Sequence, residues 1–81
     1  MPKNRRRALV TFHETAERQL AALADDDLAR LDPVLDAIAD APDIGRPLRD
    51  SPLREYQQNS VRVIYYATTL GTIIVVAYVE V

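Results

Sequence analysis

At 81 residues, 48 % apolar and 27 % charged, the chain suffices for one core and is too apolar for global disorder. Cysteine is absent and His13 is the lone histidine, which excludes a disulfide framework, thiolate chemistry and a conventional zinc site; no metal and no cofactor are expected. The net charge of −2 is the balance of one acidic segment, seven aspartates against Arg30 over residues 25–43, between two mildly basic ones, a weaker basic balance than a dedicated phosphate-backbone binder shows.

Residues 1–7 read as a short, basic, solvated tail, and residues 8–81 as a single domain. Residues 8–12 (ALVTF) suit a short strand. A helix then opens at His13, with Glu14 and Glu17 in its first turn, where negative charge meets the positive end of the helix dipole. Ala16, Leu20, Leu23 and Ala24 fall on one stripe, with Arg18, Gln19 and Ala22 on the opposite side. His13 is expected to start the helix and not to act as a base, because no nucleophile or orienting carboxylate accompanies it.

Residues 24–27 (ADDD) break the chain and offer aspartates as caps for a second helix. That helix runs to about residue 41, with Leu28, Leu31, Leu35 and Ile38 on its apolar stripe. Pro33 lies inside it, at a cost of about 3 kcal/mol in a helix interior. Because the stripe keeps its phase across Pro33, a kinked helix is expected, or two short segments with Asp32 capping the second. Asp32, Asp36 and Asp40 recur every four residues and read as a solvated face, since a flat row does not converge on a cation.

Pro42, Gly45, Pro47 and Pro52 punctuate the next stretch. Residues 53–58 (LREYQQ) fit another strand, joined through Asn59-Ser60 to the most apolar part of the chain, residues 60–81 (SVRVIYYATTLGTIIVVAYVEV). Two runs rich in Val, Ile and Tyr flank residues 68–71, where Gly71 can take a positive φ, and together they signal a β-hairpin. By period two, Val61, Val63, Tyr65 and Ala67 share one face and Arg62, Ile64 and Tyr66 the other; the second run divides into Ile73, Val75, Ala77, Val79 and Ile74, Val76, Tyr78, Glu80. Both faces are largely apolar. One needs cover from the helices, and Tyr66, Ile74, Val76 and Tyr78 are expected on the second, a candidate binding surface.

The order β-α-α-β-β-β implies an α+β domain, an antiparallel-rich twisted sheet with a two-helix hairpin on one face. That order resembles the RelE/ParE superfamily of toxins from bacterial type II toxin–antitoxin modules. The residues carrying the likeness are FHETAERQLAAL after the first strand, DAIADAP at the end of the second helix, Leu48-Arg49 leading to Pro52-Leu53-Arg54, and above all VRVIYYATTLGTIIVVAYVEV. It spans residues 8–81 and rests on the ordered combination, not on one invariant motif.

The resemblance implies a small cytoplasmic toxin that inhibits growth and is neutralised by a cognate antitoxin covering its sheet and groove; a homodimer or a heterotetramer with the antitoxin is compatible. No membrane association is expected, because no apolar run reaches the roughly 18 residues of a span. RelE-like members cut mRNA on the ribosome, where cations offset the charge that builds on phosphorus. In that reading Arg62 matches the superfamily's strand arginine, Arg54 and Arg49 lie in the approach, and Tyr78 is the candidate proton carrier. The chain departs from it by presenting Gln57 and Gln58 where RelE-like enzymes present lysines, and by a closing strand without a basic residue. ParE-like members inhibit DNA gyrase and need no hydrolytic constellation. A third reading is a non-catalytic protein-binding module. The candidate catalytic set is therefore Arg62, Arg54 and Tyr78, and the substrate- or partner-binding set Arg46, Arg49, Tyr56, Tyr66, Ile74 and Val76. Arg62 also has a purely structural alternative, pairing with Glu55 or Glu80 across the sheet.

Overall fold

The apolar hairpin forms as expected and becomes the middle of a five-stranded sheet. In a computed structural model that describes residues 7–68 and 70–81, the elements are β1 (Leu9–Phe12), α1 (Glu14–Ala21), α2 (Asp25–Asp40), β2 (Arg46–Pro47), β3 (Arg54–Gln58), β4 (Val61–Ala67) and β5 (Ile73–Glu80). The strand order is β1-β5-β4-β3-β2. Strands β2 to β5 pair antiparallel, whereas β1 lies parallel to β5 with Leu9 opposite Ile73 and Phe12 opposite Val76. The two-residue β2 was not expected; its pairing of Arg46 with Glu55 is what brings the 41–47 loop onto the sheet. Apart from Arg7, the expected basic tail lies outside the described residues.

Both helices lie on one face. Ala16 of α1 and Leu31, Val34 and Ile38 of α2 are sealed against Val61, Val63, Tyr65, Ile74 and Val76, all at 0–1 % exposure. Leu20, Leu23 and Leu35 flank this core half-buried. Thus α2 buries Val34 along with Leu31 and Ile38 of its apolar stripe and leaves Leu28 and Leu35 half-buried, because the wider apolar face of a core-facing helix takes in the neighbouring position.

One local expectation is corrected. The aspartates of residues 25–27 do not cap α2. Its first turn hangs on the Ala24 carbonyl, which accepts from the Asp27 and Leu28 N–H groups, and the three carboxylates sit inside that turn at the positive end of the dipole. Of the two forms expected around Pro33, the single helix running through it is the one observed. Pro33 and Ala29, whose carbonyl loses its donor, are both exposed, so water can serve the unpaired oxygen.

The aspartate row of α2 also does more than face water. Arg7 reaches both Asp36 and Asp40 at 2.9 Å, which fastens the approach to β1 onto the helix, and its guanidinium pKa is raised, chiefly by the hydrogen bond to Asp36.

At the opposite edge of α1, Gln19 points at the sheet and not away from it. Its Oε1 accepts from the Val79 N–H at 2.8 Å, satisfying an edge donor of β5 beyond the end of β1. Among the described residues no helix is long and apolar enough to cross a membrane.

Candidate functional site: the open face of the sheet

The face turned away from the helices is set by a register shift in β5. Ile64 pairs with Tyr78 but Tyr65 pairs with Val76, so Ala77 is an extra residue, a β-bulge. Before the bulge the even positions Ile74 and Val76 point into the core; after it the odd Val79 does, at 5 % exposure. Strict alternation therefore assigns half of this strand to the wrong side. Ile74 and Val76, expected on the open face, are core residues at 0 % exposure and offer no contact surface. Their places are taken by Ile73 and Val75, while Tyr78 stays on the open face because the bulge restores its phase.

One half of this face is apolar. Leu9 is 63 % exposed, Ile73 and Tyr78 are each 36 % exposed, and Ile64, Tyr66 and Val75 lie between them half-buried. Thr11 sits at the edge of the patch, with its hydroxyl donating to the Ile74 carbonyl at 3.1 Å. None of the described elements lies over this patch.

The other half is ionic. Arg46 of β2, Glu55 of β3, Arg62 of β4 and Glu80 of β5 form a continuous chain across four strands. Glu55 Oε1 accepts from Arg46 Nη2 and Glu55 Oε2 from Arg62 Nε, while Arg62 Nη1 donates to Glu80 Oε1 at 3.1 Å. The Arg62 guanidinium carbon also lies 6.0 Å from the Tyr78 ring centre, the outer limit of a cation–π contact. Glu55 is the hub: its side chain is 11 % exposed, and the hydrogen bonds from Arg62 first and Arg46 second hold its carboxyl below the usual range. The same bonds, that to Glu55 above that to Glu80, raise the pKa of Arg62. The four charges cancel, so the network presents no net positive charge.

The remaining candidates do not join this site. Arg54 projects to the helix side, where Nη1 donates to the Gly45 carbonyl at 2.7 Å and to the Asp43 carbonyl at 3.3 Å. Tyr56 also faces that side, packed on the core with its hydroxyl donating to Gln58 Oε1 at 3.0 Å. Arg49 is exposed in the 48–53 loop and makes no ion pair among the described residues. Thus the structure brings Arg62, Tyr78, Tyr66 and Arg46 together and leaves Arg54, Arg49 and Tyr56 elsewhere. The sequence offers Glu55 only as one of two partners for Arg62. Its convergence with Arg46 depends on β2, which two residues with a proline do not announce.

Next to the sheet, the 41–47 loop is hooked from below. The Tyr65 hydroxyl donates to the Pro42 carbonyl at 2.7 Å and accepts from the Gly45 N–H at 2.9 Å; burial pushes its pKa up. An open pocket of about 550 Å³ adjoins this hook, lined by Pro42, Asp43, Pro52, Arg54, Thr68 and Leu70 among others.

This chain matches the family of ParE toxins of the type II toxin–antitoxin system parDE over residues 10–79. It belongs to the ParE toxin family. It is accordingly a toxin of a type II toxin–antitoxin system. Among solved structures, it is similar to the RelBE2 toxin–antitoxin complex of Mycobacterium tuberculosis, with 24 % identity, TM-score 0.80 and coverage of 91 % of this chain and 90 % of that one. The intact E. coli RelBE toxin–antitoxin complex gives 21 % identity, TM-score 0.77 and coverage of 90 % and 94 %. The isolated E. coli RelE toxin gives 19 % identity, TM-score 0.76 and coverage of 90 % and 82 %. No match was found among curated protein sequences. At these identities the solved structures bear on the fold, the expected α+β toxin architecture. The ParE family assignment rests on the sequence match.

Proposed function

We propose that this ParE-family toxin inhibits growth in the cytoplasm without hydrolysing RNA, by occupying a protein target, DNA gyrase, and that a cognate antitoxin neutralises it by covering the open sheet face. The observation that carries the reading is the commitment of its cations. Of the described arginines, only Arg49 lacks a carboxylate or carbonyl partner. Attack of a 2′-oxygen on phosphorus builds negative charge that unspent cations must meet. Here the arginine at the nuclease-like position already serves two carboxylates, which would repel an approaching phosphate. An apolar patch beside a neutral ionic chain suits a protein partner better, because apolar area supplies affinity and fixed charges supply register.

The test is induced expression in a susceptible host. Growth should stop with the DNA-damage response on and a reporter mRNA intact by primer extension, and the purified protein should inhibit supercoiling by gyrase. Cleavage of the reporter at the ribosomal A site, abolished by Arg62→Ala, would overturn the reading in favour of a nuclease. Expression that leaves growth unaffected would point instead to a binding module. Co-expression of the antitoxin should restore growth, and Val75→Arg should weaken that rescue.

A further inference from the structure

We infer that Glu55 is a built-in occupant of a two-arginine oxyanion site, and that this one carboxylate closes the open face to phosphodiesters. The inference deepens the non-hydrolytic reading above and rests on it. Its ground is the geometry of the pair: each Glu55 oxygen takes a different guanidinium, Oε1 that of Arg46 and Oε2 that of Arg62. Two non-bridging phosphate oxygens would be held by the same two donors in the same way.

Three features make Glu55 an occupant and not a passing surface partner. Its backbone is fixed in β3, paired on one side with Arg46 and on the other with Ile64. Its side chain is 11 % exposed, whereas Arg46 is 73 % exposed and reaches across to it. Being tethered, it meets both guanidiniums at an effective concentration that a free nucleic acid does not reach. Glu80 holds the far side of Arg62 but at 57 % exposure and on one nitrogen, and is the lesser barrier. The arginine pair is thus a phosphate-binding arrangement with its own anion inside it, and the specificity of the face for protein over nucleic acid sits at position 55.

The experiment measures binding of a fluorescein-labelled, 12-nucleotide single-stranded RNA to the purified full chain by anisotropy, across a salt series. Glu55→Gln keeps the shape and removes the charge. It should bind at least about tenfold tighter than the wild type at low salt. Its plot of log affinity against log salt should steepen by about 1.4, the value for two cations newly placed on a single strand. Adding Arg62→Ala to Glu55→Gln should remove the gain. Glu17→Gln, an equal charge change on the exposed side of α1, should stay within about twofold of the wild type. If Glu55→Gln does not fold, Glu55→Thr, a good strand former, carries the same expectation. The inference falls if Glu55→Gln binds no tighter than the wild type, if Glu17→Gln gains equally, or if the gain survives loss of Arg62. Reporter mRNA cut by the wild type would sink the gyrase reading without touching this comparison.

Discussion

Replacing Tyr65 with Phe removes one oxygen and leaves the ring in place, which isolates the worth of the hook under the 41–47 loop. Tyr65 is 0 % exposed, and its hydroxyl serves two backbone groups, the Pro42 carbonyl at 2.7 Å and the Gly45 N–H at 2.9 Å. A buried polar group left without its partner costs about 1–3 kcal/mol. Gly45 is buried and bears that cost in full, whereas Pro42 is half-buried and can turn to water. The expected loss is therefore about 2–3 kcal/mol, a large share of the roughly 4–12 kcal/mol available to a domain of this length. In urea, with a slope near 1 kcal/mol per molar, the midpoint should fall by about 2–3 M. Gly45→Ala provides a cross-check, since its added carbon would stand 2.8 Å from the Tyr65 hydroxyl and 3.1 Å from Arg54 Cβ. The double variant should lose less than the sum of the two singles, because both act on one contact. A midpoint shift under about 0.5 M for Tyr65→Phe, or strict additivity, would refute the hook.

Other perturbations have outcomes fixed by the same structure. Asn59 and Ser60, with φ of 52° and 67°, close the β3–β4 hairpin in the doubly left-handed turn that favours glycine at its second position, so Ser60→Gly should stabilise by about 0.5–1 kcal/mol and raise the melting temperature by a few degrees. The depressed carboxyl of Glu55 gives stability that is fully present above the unfolded value of 4.5 and is lost as pH falls through its lower folded value; acid denaturation should show this loss in the wild type and not in Glu55→Gln. Tyr65 behaves in the opposite sense. Its raised pKa gives stability present below 10.0 and lost as pH climbs through the folded value, so tyrosinate absorbance should show one of the four tyrosines ionising late, and that component should be missing in Tyr65→Phe.

Much of the architecture was legible because its signals are local. The hairpin could be read from β-branched runs around Gly71, whose φ is indeed 69°, and the helix pair from stripes such as Leu31 and Ile38. What escaped was decided by contacts between distant residues. Nothing near Ala77 marks it as a bulge, so strict alternation puts Ile74 and Val76 outside when they belong to the core. The direction of β1 follows from α1 and α2 returning the chain across one face. Position 55 looked like an ordinary strand glutamate until β2 supplied Arg46 from the far side. The open face was half readable: Arg62, Tyr66 and Tyr78 kept their side, and Leu9, Ile73 and Val75 joined them only once the strand order was known.

The parallel union of β1 with β5 also sets an order of events during synthesis. Thr11 touches Ile74 across 63 residues, so the first strand to be made has no partner until the closing strand has been translated. Until then β3 and β4 can pair alone, and the edge of β4 that will receive β5 stays bare. The apolar half of the open face, which needs Leu9 of β1 beside Ile73 and Val75 of β5, is therefore complete only once the closing strand has docked.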